Sequence, residues 1–117
     1  MKKLASGLIA ALLLTGICIA APADKTYTGQ IMDNECAQMG SHESMMKKEG
    51  TKDAKDCTLA CIKGGGKYVL YNSATKKTYQ LDDQMKPEQF AGQKVTVTGS
   101  YDSAAQAIHV TDIQSAM

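Results

Sequence analysis

The sequence contains no arginine and no tryptophan, and it has one phenylalanine and two prolines among 117 residues. All 13 basic residues are therefore lysines, and 12 acidic residues bring the formal net charge to +1. Nucleic-acid binding relies on clustered positive charge that neutralises phosphates. A nearly neutral chain without arginine therefore argues against a nucleic-acid partner.

Recognisable catalytic patterns are also missing. The sequence shows no Ser-His-Asp order, no carboxylate pair with an identifiable acid and base, and no cofactor fingerprint. The glycines at 64–66 come after a predicted helix and before a predicted strand, whereas a phosphate-binding loop has the opposite order. An enzymatic activity is therefore unsupported by the sequence.

The N-terminus has the pattern of a secretory signal peptide. Lys2 and Lys3 precede an apolar run over residues 8–21, and the small-residue motif Ala21-Pro22-Ala23 follows. This order is typical of a leader that a signal peptidase removes. We therefore predict that residues 1–23 are cleaved during export.

The mature chain, residues 24–117, has the size of one small domain. Its predicted location is the periplasm or the outside of the cell. The apolar run of the leader is shorter than the roughly 20 residues that a membrane span needs, so we expect no stable membrane anchor after cleavage. Loss of Lys2 and Lys3 would bring the net charge to about −1.

Alternating polar and apolar residues predict five strands. They cover residues 26–32, 68–71, 77–81, 94–100 and 107–113. A short helix is predicted between strands three and four, because Pro87 lies near the start of the segment Met85 to Ala91 and Gly92 lies just past its end. The fold class is therefore mainly β.

The element order resembles an OB-fold, a small five-stranded β-barrel. The segment FAGQKVTVTGSYDSAAQAIHVTDI resembles the last two strands of small exported bacterial OB-like domains. Over residues 26–113, the chain resembles a group of uncharacterised exported bacterial proteins that carry a Cys/His-containing segment after the first strand. This resemblance implies an OB-like barrel, although an SH3-like barrel or an antiparallel sandwich fits the same strand pattern.

Residues 33–66 form an insertion between the first two predicted strands. A structureless loop of this length is uncommon in a small domain unless it is functional or held in place. Within it, Asp56 is predicted to cap a helix of two turns over residues 57–63 that ends at Gly64. Some further interaction is expected to hold the rest of the insertion.

Three cysteines remain in the mature chain, namely Cys36, Cys57 and Cys61. An odd number cannot be used up by disulfides within one molecule. In a helix, the Cβ atoms of Cys57 and Cys61 would lie about 5 to 6 Å apart, whereas a disulfide needs about 3.5 to 4.5 Å. With His42 as a fourth ligand, the three thiolates form the Cys3His set of structural zinc sites.

Copper is the alternative ion. Met39, Met45 and Met46 lie close to His42 in the sequence, and soft thiolate and thioether ligands favour Cu(I). The leading hypothesis is thus an exported, non-enzymatic module that binds zinc or copper.

Two alternatives use the cysteines differently. A disulfide from Cys36 to Cys57 or Cys61 would hold the insertion to the barrel, and the remaining thiol would be buried, tolerated or paired in a disulfide-linked dimer. An envelope protein is the other expected kind of partner. Alternatively, a thiol oxidoreductase would use Cys57 as its nucleophile and Cys61 or Cys36 as the resolving thiol.

Overall fold

The computed structural model describes residues 23–116. The predicted leader, residues 1–23, lies outside this range apart from Ala23, as does Cys18. No helix in the described range has both the length and the apolar character needed to cross a membrane.

The chain forms five strands and three α-helices, with one additional 3-10 helix. In chain order these are β1 (Lys25–Asp33), α1 (Asn34–Met39), α2 (Glu43–Glu49), α3 (Ala54–Lys63), β2 (Tyr68–Asn72), β3 (Lys77–Leu81), the 3-10 helix (Lys86–Phe90), β4 (Lys94–Asp102) and β5 (Ala107–Ser115). The prediction of a mainly β chain with five strands is confirmed.

The five strands form one sheet with the order β1-β2-β3-β5-β4, and the sheet closes because β4 also pairs with β1. Strand β1 makes both contacts by using its C-terminal half for β2 and its N-terminal half for β4. All pairings are antiparallel except that between β3 and β5, which is short and parallel.

The two hairpins have closely similar turns. In the β2–β3 turn, the Asn72 side chain accepts hydrogen bonds from the backbone N–H groups of Ala74 and Thr75. In the β4–β5 turn, Asp102 makes the same contacts with the two residues at the equivalent positions. Asparagine and aspartate favour such turns because their side chains can accept from the backbone two or three residues ahead.

The sheet contributes side chains to two apolar cores, one on each of its faces. The barrel core lies inside the sheet and has as its buried members Ile31, Tyr68, Leu70, Leu81, Ala91, Val95, Val97, Ile108, Val110 and Ile113. The insertion core lies on the outside and consists of Met32, Cys36, Ala37, Met45, Cys57, Val69 and Tyr71. Side chains alternate between the two faces of a strand, so β2 contributes to both cores and is buried on both sides.

The insertion contains three helices where one was predicted. Helix α3 begins at Ala54 and is capped by Asp53, whose carboxylate accepts from the Asp56 N–H at 2.8 Å. The prediction that Asp56 is the capping residue is therefore wrong by three positions, and Asp56 lies in the first turn instead. Helices α1 and α2 were not predicted, since each has fewer than two full turns.

Gly92 brings the barrel into close contact with α3. Its φ is +75°, and a Cβ atom at this position would lie 2.5 Å from the Lys55 backbone nitrogen, in the first turn of α3. The Gly92 N–H also donates to the Ile31 carbonyl of β1 at 2.8 Å. The glycine thus allows the insertion to approach the sheet at this point.

Gly92→Ala is expected to destabilise the protein more than Gly50→Ala does. Gly50 also has a positive φ, +68°, but a Cβ atom there would have no neighbour within 4 Å. The change at Gly50 should therefore cost only the backbone strain, about 1 kcal/mol, and the change at Gly92 should cost about 1 to 3 kcal/mol more because of crowding. Urea unfolding of both variants measures the difference, and equal losses would contradict the close contact.

Candidate metal centre

Asp33 ends β1 and starts α1. Its backbone is extended, with φ −78° and ψ 159°, and one carboxylate oxygen, Oδ2, accepts from the N–H groups of Glu35 at 3.1 Å and Cys36 at 3.2 Å. This is the usual arrangement of an aspartate at a helix N-terminus. It holds Cys36 in the first turn of α1, where the thiol is fully buried.

His42 lies between α1 and α2. Helix α1 ends at Gly40, whose N–H donates to the Ala37 carbonyl, and the chain then turns directly into α2. The His42 carbonyl accepts from the Met46 N–H at 2.8 Å, which fixes the backbone at the start of α2. The side chain makes no capping hydrogen bond and is 7% exposed.

Helix α3 carries the other two cysteines one turn apart. Cys57 is fully buried, and its sulfur lies 4.0 Å from the Cys36 sulfur and 4.0 Å from the His42 carbonyl oxygen. Cys61 is only partly buried. Its backbone carbonyl accepts from the Gly66 N–H at 3.0 Å as the chain leaves the helix.

The candidate ligands converge in two overlapping groups. In the first, which we call the buried site, ligand atoms of Cys36, His42 and Cys57 all lie within 4.8 Å of one another. In the second, which we call the outer site, ligand atoms of Asp33, Cys36 and Cys61 also lie within 4.8 Å of one another. Cys36 belongs to both groups.

All four predicted ligands are thus in one region. Cys57 and Cys61 belong to different groups. Each of them shares its group with Cys36, and the two do not occur together in either group. Asp33 was not among the predicted ligands. An aspartate that ends a strand and caps a helix already has a structural explanation, so its residue type alone suggests no further role. Its only signal in the sequence is its position three residues before Cys36.

Several polar atoms around these groups have no hydrogen-bond partner. Within residues 23–116 the buried side-chain atoms without a partner are Asp33 Oδ1, both ring nitrogens of His42, and Thr51 Oγ1. Buried polar groups in proteins are nearly always hydrogen-bonded, and each exception needs an explanation. Three of these four atoms belong to residues of the two groups, and of these, Asp33 Oδ1 and one of the two His42 nitrogens are able to act as ligands of a cation.

Burial and negative charge both act on the protonation of the site. Burial raises the pKa of the Cys36 thiol far above its ordinary value, and the adjacent Asp33 carboxylate raises it further. The same two causes raise the pKa of Cys61 to about 12. Burial lowers the pKa of His42, although the charge of Asp33 partly opposes this effect. His42 is therefore neutral at physiological pH, the form that binds metals.

The same features disfavour thiol catalysis. A reactive cysteine is accessible and has a lowered pKa. Cys57, the predicted nucleophile, is fully buried. The Cys36 and Cys61 thiols, the predicted resolving groups, have raised pKa values. These properties disfavour a thiolate nucleophile at this site.

The methionines differ in their relation to the site. Met32 and Met45 are buried in the insertion core beside Cys36 and Cys57, and Met46 packs against the same core. Met39 is 48% exposed. Three methionine side chains are therefore part of, or pack against, the same apolar core as Cys36 and Cys57.

Comparison of the chain with protein-family models, with curated proteins and with solved structures gave no match.

His42→Leu is expected to stabilise the metal-free protein while removing a ligand. Leucine eliminates two buried, unpartnered nitrogens, a gain of about 1 kcal/mol or more at pH 7.5. The gain should increase as the pH falls. The unfolded chain protonates His42 near pH 6.5, whereas the folded chain resists protonation because its pKa is lowered, so the wild type loses stability on acidification.

Urea unfolding in reductant and chelator, between pH 5 and pH 7.5, measures this difference between the wild type and His42→Leu. Below pH 6.5 the difference should rise by up to about 1.4 kcal/mol per pH unit. A difference that is constant or shrinks towards low pH would contradict the buried, neutral state of His42.

Proposed function

We propose that this protein is an exported, non-enzymatic metal-binding module that holds one zinc or Cu(I) ion through Cys36, His42 and Cys57. Asp33 and Cys61 lie next to this set and form a second group of candidate ligands with Cys36. The observation that carries the proposal is His42, whose two ring nitrogens are buried and unpartnered and one of which lies within 4.8 Å of two buried thiols.

The separation of the two thiols supports an ion between them. Two sulfurs bound to one tetrahedral zinc at about 2.3 Å are about 3.8 Å apart. The Cys36 and Cys57 sulfurs lie 4.0 Å apart, close to that separation and well beyond the roughly 2.05 Å of a disulfide bond. Small shifts of two side chains would therefore bring both sulfurs to bonding distance from a shared ion.

The donor types restrict the ion. Thiolate and neutral imidazole suit zinc and Cu(I), whereas calcium and magnesium require mainly oxygen ligands. Zinc fits a Cys2His set with water in the fourth position. Cu(I) is favoured by the buried Met32 and Met45 around the thiols.

The proposed scaffold is an OB-like barrel with the metal site on an outer insertion. The closed pairing, in which β1 contacts both β2 and β4, and the parallel contact of β3 with β5 support this assignment. The leader-like N-terminus supports export to the periplasm or beyond the cell. The proposed partner is the metal ion, and no nucleic-acid partner is expected of a nearly neutral chain without arginine.

The test is the metal content of the mature protein, expressed with its own leader and purified without chelator or reductant. Elemental mass spectrometry is expected to find about one zinc or copper ion per chain, with all three thiols free after the metal is removed. His42→Gln and Cys57→Ser should each weaken binding of the same ion by at least about 100-fold, since loss of a ligand exceeds the 10- to 100-fold effect of losing an outer partner.

His109→Gln is the matched control, because His109 is an exposed histidine that pairs with Asp82 and belongs to neither group of candidate ligands. It should bind the ion as the wild type does. Metal-free protein that also fails to bind added Zn²⁺ or Cu⁺ would overturn the proposal, as would equal affinity of the wild type and His42→Gln.

The second candidate is a disulfide-stapled structural or ligand-binding domain, favoured by the close contact of the Cys36 and Cys57 sulfurs. A bond between them would join two residues 21 positions apart and stabilise the domain by about 3 kcal/mol. Cys61 would remain free. Intact mass distinguishes the two functions, since the disulfide form lacks two hydrogens and has one titratable thiol.

A further inference from the structure

The outer site has its own unpartnered ligand atom. Asp33 is fully buried, and while Oδ2 caps α1, Oδ1 has no hydrogen-bond partner. A ligand atom of the same carboxylate lies within 4.8 Å of the Cys36 and Cys61 sulfurs. The arrangement provides a carboxylate and two sulfurs, which is a metal-ligand set in its own right.

Only the outer site reaches the surface. Cys36 and Cys57 are fully buried and His42 nearly so, whereas Cys61 is partly exposed. Cys61 lines a surface cavity of about 320 Å³ together with Glu35, Lys48 and the glycines at 64–66. Met45, a buried member of the insertion core, also lines this cavity. An ion arriving from solvent therefore meets Cys61 before it meets Cys57 or His42.

We infer that Asp33, Cys36 and Cys61 form an entry site, from which the ion passes to the buried site by ligand exchange around Cys36. This inference rests on the proposed function. Because Cys36 belongs to both groups, the ion remains bound to one thiolate throughout, and no step requires a free ion inside the protein.

The exchange conserves atoms and charge. The bonds from the ion to Cys61 Sγ and Asp33 Oδ1 break, and bonds to Cys57 Sγ and a His42 ring nitrogen form. The proton that leaves the Cys57 thiol balances the proton that the released Cys61 thiolate takes up. The ion keeps its oxidation state, so the step needs no oxidant or reductant. The same steps in reverse release the ion to an acceptor at the surface.

The test compares the rate and the affinity of Zn²⁺ binding. Metal-free mature protein is mixed with Zn²⁺ held by a fluorescent indicator in a stopped-flow instrument, and the affinity is measured separately by competition at equilibrium. Cys61→Ser is expected to slow loading and chelator-driven removal by about 10-fold or more, while the dissociation constant changes by less than about 3-fold. Equal slowing of both directions is the property of a group on the path that is not a ligand in the final state.

Asp33→Asn provides a second variant that should fold, since asparagine caps helices as well as aspartate does. It should also slow loading, because the amide is a weaker ligand than the carboxylate. Glu35→Gln serves as the matched control for electrostatic attraction at the cavity rim, and its effect should be small and should disappear in high salt.

Three results would overturn the inference. Loading of Cys61→Ser at the wild-type rate would remove Cys61 from the path. A loss of affinity in Cys61→Ser as large as that in Cys57→Ser would make Cys61 a ligand of the final site. Slowing by Glu35→Gln as large as that by Cys61→Ser would assign the effect to charge. Failure of the proposed function is distinct, since the wild type itself would then bind no Zn²⁺.

Discussion

The buried carboxylate of Asp33 is the interaction on which the insertion depends. It lies where the last residue of β1, paired with Tyr68 of β2, becomes the capping residue of α1. One oxygen satisfies two helix N–H groups, and the other remains near the sulfurs without a partner. A single side chain thus redirects the chain from sheet to helix, places Cys36 in a buried first turn and brings negative charge to two thiols.

That arrangement is costly in the absence of a cation. A buried carboxylate beside thiols raises the pKa of Cys36 and Cys61, and a buried imidazole with no partner loses the hydrogen bonds it would make to water. Such local costs are typical of functional sites, where the surrounding fold maintains an arrangement that stability alone would not favour. Here the surrounding fold is the rigid β1–β2 pair and the packing of α3 against it.

Much of the sheet could be predicted from the sequence, because strand residues alternate with period two and both hairpins carry an Asn or Asp at the turn. The insertion was harder. Helices α1 and α2 are too short for a periodic pattern, although Gly40 and Gly50 mark their ends. The four metal-ligand candidates were named, but their grouping follows from contacts between three short helices. A contact such as that between Cys36 and Cys57 has no signature in the spacing of residues.

Strand β2 has a thermodynamic consequence for the whole domain. Tyr68 and Leu70 belong to the barrel core, and Val69 and Tyr71 belong to the insertion core. Neither core can lose its order without exposing one face of the same strand, so the barrel and the insertion are expected to unfold in a single cooperative step. Any ligand held by the insertion then stabilises the barrel through mass action, by about 4 kcal/mol at a thousand times its dissociation constant. The concentration of that ligand in the compartment would therefore set the lifetime of the entire protein against proteolysis.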